Sequence, residues 1–195
     1  MPHRTVKFAP EKYYHVYNRG AGRQPIFREA ANYIFVLRKV KQYAHQYHVT
    51  AVAYCLMPNH YHFLIRQDGE TAAGLVFQHT FNSYTKAFNK RYDRSGTLFE
   101  ERFQVIHVDR DEYLLHLCRY IHGNPVKAGL VQSPEDWAYS NYPDWIGLRT
   151  GDLVDREFVQ AHFPNHADYR QFVMNYLTDL EPLPQGVDAY LEKCR

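Results

Sequence analysis

The run from Val49 to Arg66 constrains the chain most. Val49 to Leu56 reads as a buried strand, His60 to Arg66 as a second, and Met57-Pro58-Asn59 sits between them. Proline cannot continue a strand ladder and asparagine favours turn geometry, so the two strands fold back as a hairpin. Around it, hydrophobic periodicity changes from two to about 3.6 and back. Tyr13 to Asn18 is rich in β-formers and ends at the turn signal Arg19-Gly20. Glu29 to about Gln46 places Ile34, Leu37, Val40 and Ala44 at helical spacing. Ala72 to Tyr92 does the same with Leu75, Phe81, Tyr84 and Phe88, and breaks at Arg94-Ser95-Gly96. Phe103 to Val108 alternates as a strand. Asp109 with Glu112 resembles a capping box for a last helix, expected to end near Gly123 because Asn124-Pro125 follows. The resulting order, βαββαβ and then a helix, predicts an α+β protein. Its core is ferredoxin-like: a four-stranded antiparallel sheet with helices packed on it.

The length, 195 residues, suits one such domain plus an extension. The expected division is a catalytic-type domain over 1–131 and a C-terminal extension over 132–195. Trp137, Tyr139, Tyr142 and Trp145 would pack the extension on the body, further helix would lie within Phe158 to Leu177, and the last fifteen residues would be loosely held. No internal repeat or low-complexity tract occurs. No apolar run could span a bilayer and the first residues lack a signal-peptide pattern, so a cytoplasmic protein without a membrane partner is expected. Cys55, Cys118 and Cys194 are scattered, odd in number and form no CxxC pair, which fits reduced thiols packed as small hydrophobes.

His60-Tyr61-His62 is the sharpest chemical feature. Side chains alternate along a strand, so His60 and His62 share one face while Tyr61, Phe63 and Ile65 take the other. Two imidazoles so placed can reach one divalent ion. On the last helix Leu114, Cys118 and Ile121 form an apolar stripe that should face the sheet. Tyr120 and Asn124, four residues apart, lie beside that stripe. A helix docked on the sheet could bring a phenol and an amide oxygen to the same ion, with Asn124 as third ligand and room for water and a phosphate oxygen. Such a set suits phosphoryl transfer with a tyrosine nucleophile, whose phosphotyrosine ester keeps the energy of the broken bond.

Net charge is only +2, but basic side chains cluster among aromatics from Lys86 to Arg94, as on the DNA-facing side of an enzyme. Arg19, Arg23, Lys86, Lys90, Arg91, Arg94 and Arg102 are candidate phosphate contacts, and Lys127 could approach a cut phosphate. Tyr17, Tyr92 or Phe99 could stack on unpaired bases.

Four ordered motifs carry a resemblance. Met57-Pro58-Asn59-His60-Tyr61-His62-Phe63-Leu64-Ile65 resembles the HUH signature (His, hydrophobic, His) of the IS200-like tyrosine transposases, with Tyr61 where an aliphatic residue is usual. Tyr120-Ile121-His122-Gly123-Asn124-Pro125-Val126-Lys127-Ala128-Gly129-Leu130 is similar to their nucleophile helix and its exit. Arg94 to Phe103 and His15-Val16-Tyr17-Asn18-Arg19-Gly20 resemble patterns of the REP-associated subgroup. The likeness spans about 13 to 145. It implies a Mg²⁺- or Mn²⁺-dependent single-strand DNA endonuclease and strand transferase forming a 5′-phosphotyrosine intermediate. The implied nucleophile is Tyr120, and the implied ligands are His60, His62 and Asn124. It also implies hairpin-forming repeat DNA as substrate, a bacterial protein at the nucleoid while acting, and a monomer or homodimer. Tyr113 is the rival nucleophile, but Leu117 stands four residues after it where a ligand type would be needed. His122 points away from Tyr120 and is expected to be structural or exposed. Two other functions compete. One is a domesticated hairpin-binding protein that no longer cuts. The other is a structural zinc protein, disfavoured because structural zinc sites usually use four Cys or His ligands.

Overall fold

Pro58-Asn59 closes the expected hairpin, and the strands it joins form the centre of the molecule. The computed structural model describes residues 6–184, 186–187 and 191. Strands β1 (Lys12–Arg19), β2 (Val49–Met57), β3 (His60–Gln67) and β4 (Gln104–Val108) form one sheet in the order β2-β3-β1-β4. Every neighbouring pair is antiparallel, which is the ferredoxin-like arrangement expected from the element order. Helix α1 (Ala30–Tyr47) connects β1 to β2, and α2 (Gly74–Arg91) connects β3 to β4.

Both helices lie on one side of the sheet. Val36, Val40 and Ala44 of α1 and Phe77, Phe81 and Tyr84 of α2 share a core with Tyr61, Phe63 and Ile65 of β3. Helix α3 (Asp111–Lys127) covers the other side. Its Leu114, Leu117, Cys118 and Ile121 pack with Cys55 and Met57 of β2 and Leu64 of β3. Cys55 and Cys118 are both buried as free thiols, whereas Cys194 lies outside the described residues.

Two expectations about α3 require correction. The residue before the helix is Arg110 rather than Asp109, and no side chain caps it. Asp111 and Glu112 instead place their negative charge in the first turn, where it complements the helix dipole. The helix also does not stop at Gly123 but runs through Pro125 to Lys127. A proline in the last turn removes only one helical hydrogen bond, and tertiary packing holds the turn in place. A Cβ on Gly123 would come within 3.1 Å of Leu177 and Tyr176, so α3 and α6 (His166–Leu177) approach closely there.

Residues beyond 132 cover the sheet edge. Leu56 N–H donates to the Tyr139 carbonyl (2.9 Å), and Tyr54 N–H donates to Asn141 Oδ1 (2.7 Å). A bulge at Val52 disturbs the β2–β3 register. The Val52 carbonyl accepts from Asn141 Nδ2 (2.9 Å) and Trp145 Nε1 (3.1 Å). The edge backbone groups are thus met by protein, which blunts edge-to-edge pairing. Tyr142 and Trp145 are fully buried, and Tyr139 stacks on Tyr33 at 3.7 Å. The helical stretch expected within 158–177 is two helices, α5 (Arg156–His162) and α6, with Phe163-Pro164-Asn165 between them; α4 (Tyr142–Trp145) is a single turn. Among the last fifteen residues, Val187 and Leu191 are buried in the second core, contrary to loose attachment there. Residues 185, 188–190 and 192–195, and the N-terminal residues 1–5, lie outside the described set. No helix among the described residues is long and apolar enough to cross a membrane.

Candidate functional site

Strand alternation divides β3 as expected. Tyr61 is fully buried against Phe81 (4.1 Å between ring centroids) on the α1–α2 side, while His60 and His62 face the α3 side. Their rings meet edge to face at 5.1 Å. Antiparallel register sets Tyr17 of β1 and Cys55 of β2 opposite His62, and Arg19 and Met57 opposite His60. Helix α3 lays the Tyr120 ring against His62, with 5.7 Å between centroids and 82° between planes. One turn later, Asn124 Nδ2 donates to the Tyr120 carbonyl (2.9 Å), which leaves Oδ1 as the amide atom able to ligate. His60, His62, Tyr120 and Asn124 all line one open cleft of about 1130 Å³.

Burial governs the histidine electrostatics. Loss of hydration disfavours the imidazolium. It pushes His60 down to about 4, with Arg19 adding to the effect. It holds His62 well below its ordinary value, helped by His60 and His15. His15 is pushed down to about 3 by burial. All three are therefore neutral at pH 7, the form in which imidazole ligates metals. Among the described residues no three His, Cys, Asp or Glu side chains gather where they could hold a metal ion. A third protein donor beside His60 and His62 would have to be of another type, and the Asn124 amide is at hand.

The other candidates divide by location. Arg19, Arg23 and Lys127 line the cleft. Arg19 is paired with Glu100 (2.5 Å) and Lys127 with Asp179 (2.8 Å). Lys86, Lys90 and Arg91 are on α2, the layer behind the sheet; Arg91 pairs with Glu29, and Arg94 lies over the Phe88 ring. Arg102 is exposed beside the cleft residues Glu101 and Gln104. Tyr17 reaches the cleft. Tyr92 instead donates to Glu29 and Asn32, and Phe99 packs edge-on to Tyr61 and Phe81. Tyr113 accepts from Arg110 (2.9 Å) and borders a separate small pocket with Val187. His122 is wholly buried and bonded to Tyr169 (2.5 Å) and Asn141 (2.9 Å), so it is structural and not exposed.

Three residues to which sequence reasoning gave no part in the chemistry stand at the site. His15 is fully buried and shares a 3.0 Å hydrogen bond with His62. Its signal was present, because it alternates with Tyr17 on β1 and so shares a face with it. Asn59 bonds His60 (2.7 Å). Tyr176 of α6 enters the cleft wall, a long-range contact that no local pattern announces. Gly20 closes the arrangement. Its N–H donates to the Asn59 carbonyl (2.8 Å), and a Cβ there would fall 2.1 Å from the Gln24 carbonyl oxygen, so only glycine fits.

The family described as "Transposase IS200 like" matches residues 9–124, which contain all of β1 to β4 and α3 as far as Asn124. A curated Haemophilus influenzae protein, provisionally named a REP-associated tyrosine transposase, is 31% identical over 113 residues, 52% of this chain and 64% of that relative's length. A solved structure titled "Structure of the REP associates tyrosine transposase bound to a REP hairpin" superposes with a TM-score of 0.59 at 18% identity, covering 80% of this chain and 94% of that one. At that identity the likeness concerns the fold. The family match spans more than half the chain and contains the HUH strand and the tyrosine helix: the protein belongs to the IS200-like transposase family.

Proposed function

We propose that the protein is a single-strand DNA endonuclease and strand transferase that acts through Tyr120. The observation that carries this is the Tyr120 ring lying on His62 in a cleft that His60 and Asn124 also line. Tyr120 attacks the scissile phosphate. The phenol gives up its proton as the bond from its oxygen to phosphorus forms. The bond from phosphorus to the 3′-oxygen breaks, and that oxygen takes up one proton and leaves as a 3′-hydroxyl, so the step is proton-neutral overall. The 5′-phosphate stays on the tyrosine until another 3′-hydroxyl displaces it, so rejoining needs no nucleotide cofactor. His60 and His62, with the Asn124 oxygen, are the residues that would hold a Mg²⁺ or Mn²⁺ ion. Bound there, it would polarise the phosphate and stabilise charge on its oxygens.

Arg19, Arg23 and Lys127 offer positive charge to the DNA backbone, and Tyr17 offers a ring to an unpaired base. Hairpin DNA is the proposed substrate, in keeping with the relative whose solved structure holds a REP hairpin. Tyr120 and His62 meet within one chain, which favours a tyrosine acting on its own subunit's site rather than on a partner's.

The test is covalent capture. Labelled single-stranded hairpin DNA is incubated with the protein and Mg²⁺ or Mn²⁺, and adducts are resolved on a denaturing gel. A metal-dependent adduct that vanishes in Tyr120→Phe while hairpin binding survives is the expected result. Hairpin binding with no adduct under either metal would instead identify a DNA-binding protein that does not cut.

A further inference from the structure

The proposed chemistry needs His60 and His62 each to turn an unprotonated ring nitrogen toward the ion, and the roles of Asn59 and His15 rest on that reading. A neutral imidazole carries its proton on one nitrogen and its lone pair on the other. The partner of the first decides what the second offers. In both histidines Nδ1 is the nitrogen engaged by protein: His60 Nδ1 by Asn59 Oδ1 at 2.7 Å, and His62 Nδ1 by His15 Nε2 at 3.0 Å.

At His60 the roles follow by elimination. Asn59 Nδ2 donates to the Arg23 carbonyl (3.2 Å), which can only accept. Asn59 therefore turns its oxygen to His60, and an amide oxygen cannot donate. The proton of the bond belongs to His60 Nδ1, and the neutral ring keeps its lone pair on Nε2. Asn59 is itself anchored, since its carbonyl accepts from Gly20 N–H (2.8 Å). Gly20 and Arg23, just after β1, thus orient a histidine on β3.

At His62 the bond joins two imidazole nitrogens, so one must donate. Donation by His15 would leave the His62 proton on Nε2 and close that nitrogen to a metal. Donation by His62 leaves Nε2 open. His15 is wholly buried and stacked on His62 at 5.1 Å and 21°, a placement that holds the ring plane as well as the bond.

We propose that Asn59 and His15 are positioning residues that hold His60 and His62 in their Nδ1–H tautomers, so that both present Nε2 to the cleft. The experiment is a long-range ¹H–¹⁵N spectrum of metal-free protein labelled at histidine, with Mn²⁺ affinity measured separately by EPR titration. Wild-type His60 and His62 should both show the Nδ1–H pattern. Asn59→Ala should turn His60, and His15→Leu should turn His62, into mixed tautomers, each weakening Mn²⁺ binding by roughly 10- to 100-fold. His15→Gln, which keeps an acceptor, should restore most of both. An Nε2–H signal from either histidine in the wild type overturns the proposal, as does an unchanged His60 tautomer in folded Asn59→Ala. If the tautomers are as stated but no Mn²⁺ binds, the metal-dependent function fails and the positioning role stands.

Discussion

The two faces of the sheet are built from the same strands and do different work. On the α1–α2 side, β3 contributes Tyr61, Phe63 and Ile65 to a core of stacked rings, in which Phe63 meets Phe77 at 5.3 Å and Tyr61 meets Phe81 at 4.1 Å. On the α3 side, the same strand contributes Leu64 to an apolar core and then His62 and His60 to a cleft. On the first face three successive inward side chains are apolar, and the buried Gln67 at its end is bonded to the Gly69 carbonyl and the Ala73 N–H. The second is apolar around Leu64, carries the ion-paired Arg66 at one end and gathers His15, His60 and His62 at the other, with His15 and His62 buried. Burying imidazoles costs stability that the first face must offset, which is how a fold can hold reactive groups dry and fixed.

Adjacent residues of β3 give the sharpest way to break this comparison. His62→Gln should lower covalent adduct formation by more than about 100-fold, since the lost nitrogen is a proposed ligand, while thermal unfolding shifts little. A His62→Gln protein that still forms adduct would remove the chemistry from this face. Phe63→Ala should do the reverse. Truncating a buried phenylalanine costs about 3–5 kcal/mol. For a chain of this size that is a fall in Tm of roughly 10 °C, read by calorimetry, with adduct yield per folded molecule nearly unchanged.

Acid separates the faces next. His122 belongs to the α3 side but lies away from the cleft, bonded to Asn141 and Tyr169. Burial pushes it down to about 4 from an ordinary 6.5. Its folded value is depressed, so between those values the unfolded chain binds more protons and stability rises with pH. The stability it contributes is intact above about pH 6.5 and is lost as pH falls toward 4, to the extent of about 3 kcal/mol. Urea unfolding from pH 7 to 4 should show that loss on top of those from the buried His15, His60 and His62, and His122→Gln should reduce the slope by its own share. An unchanged slope would mean that His122 is not held neutral.

The smallest effect lies at the cleft rim. Lys127→Ala breaks an exposed pair with Asp179, worth at most about 1 kcal/mol of stability. Binding of single-stranded DNA should weaken a few-fold, with the salt slope reduced by about 0.7 for one lost phosphate contact. An unchanged slope would show that Lys127 stays with Asp179 when DNA is bound.

The sequence revealed the sheet because its signals are local. The Pro58-Asn59 turn, the helical spacing of α1 and α2 and the alternation around His60 and His62 all act over a few residues. It also placed Tyr120 and Asn124 on one side of α3, since four residues make about one turn. The course of α3 was misjudged at both ends, because its start relies on Asp111 and Glu112 and its last turn on α6, distant in sequence. His15 could be put on a strand but not beside His62, which depends on the β1–β3 register. The cleft wall at Tyr176 was invisible for the same reason.

Tyrosines supply the most direct test of the central claim, that the α3 side carries the reaction through Tyr120. Tyr17 and Tyr176 also line the cleft, whereas Tyr113 lies outside it. Trapped adduct should be digested with protease and nuclease and the modified residue mapped by mass spectrometry. The residual nucleotide is expected on Tyr120. Finding it on Tyr113, Tyr17 or Tyr176 would contradict the assignment.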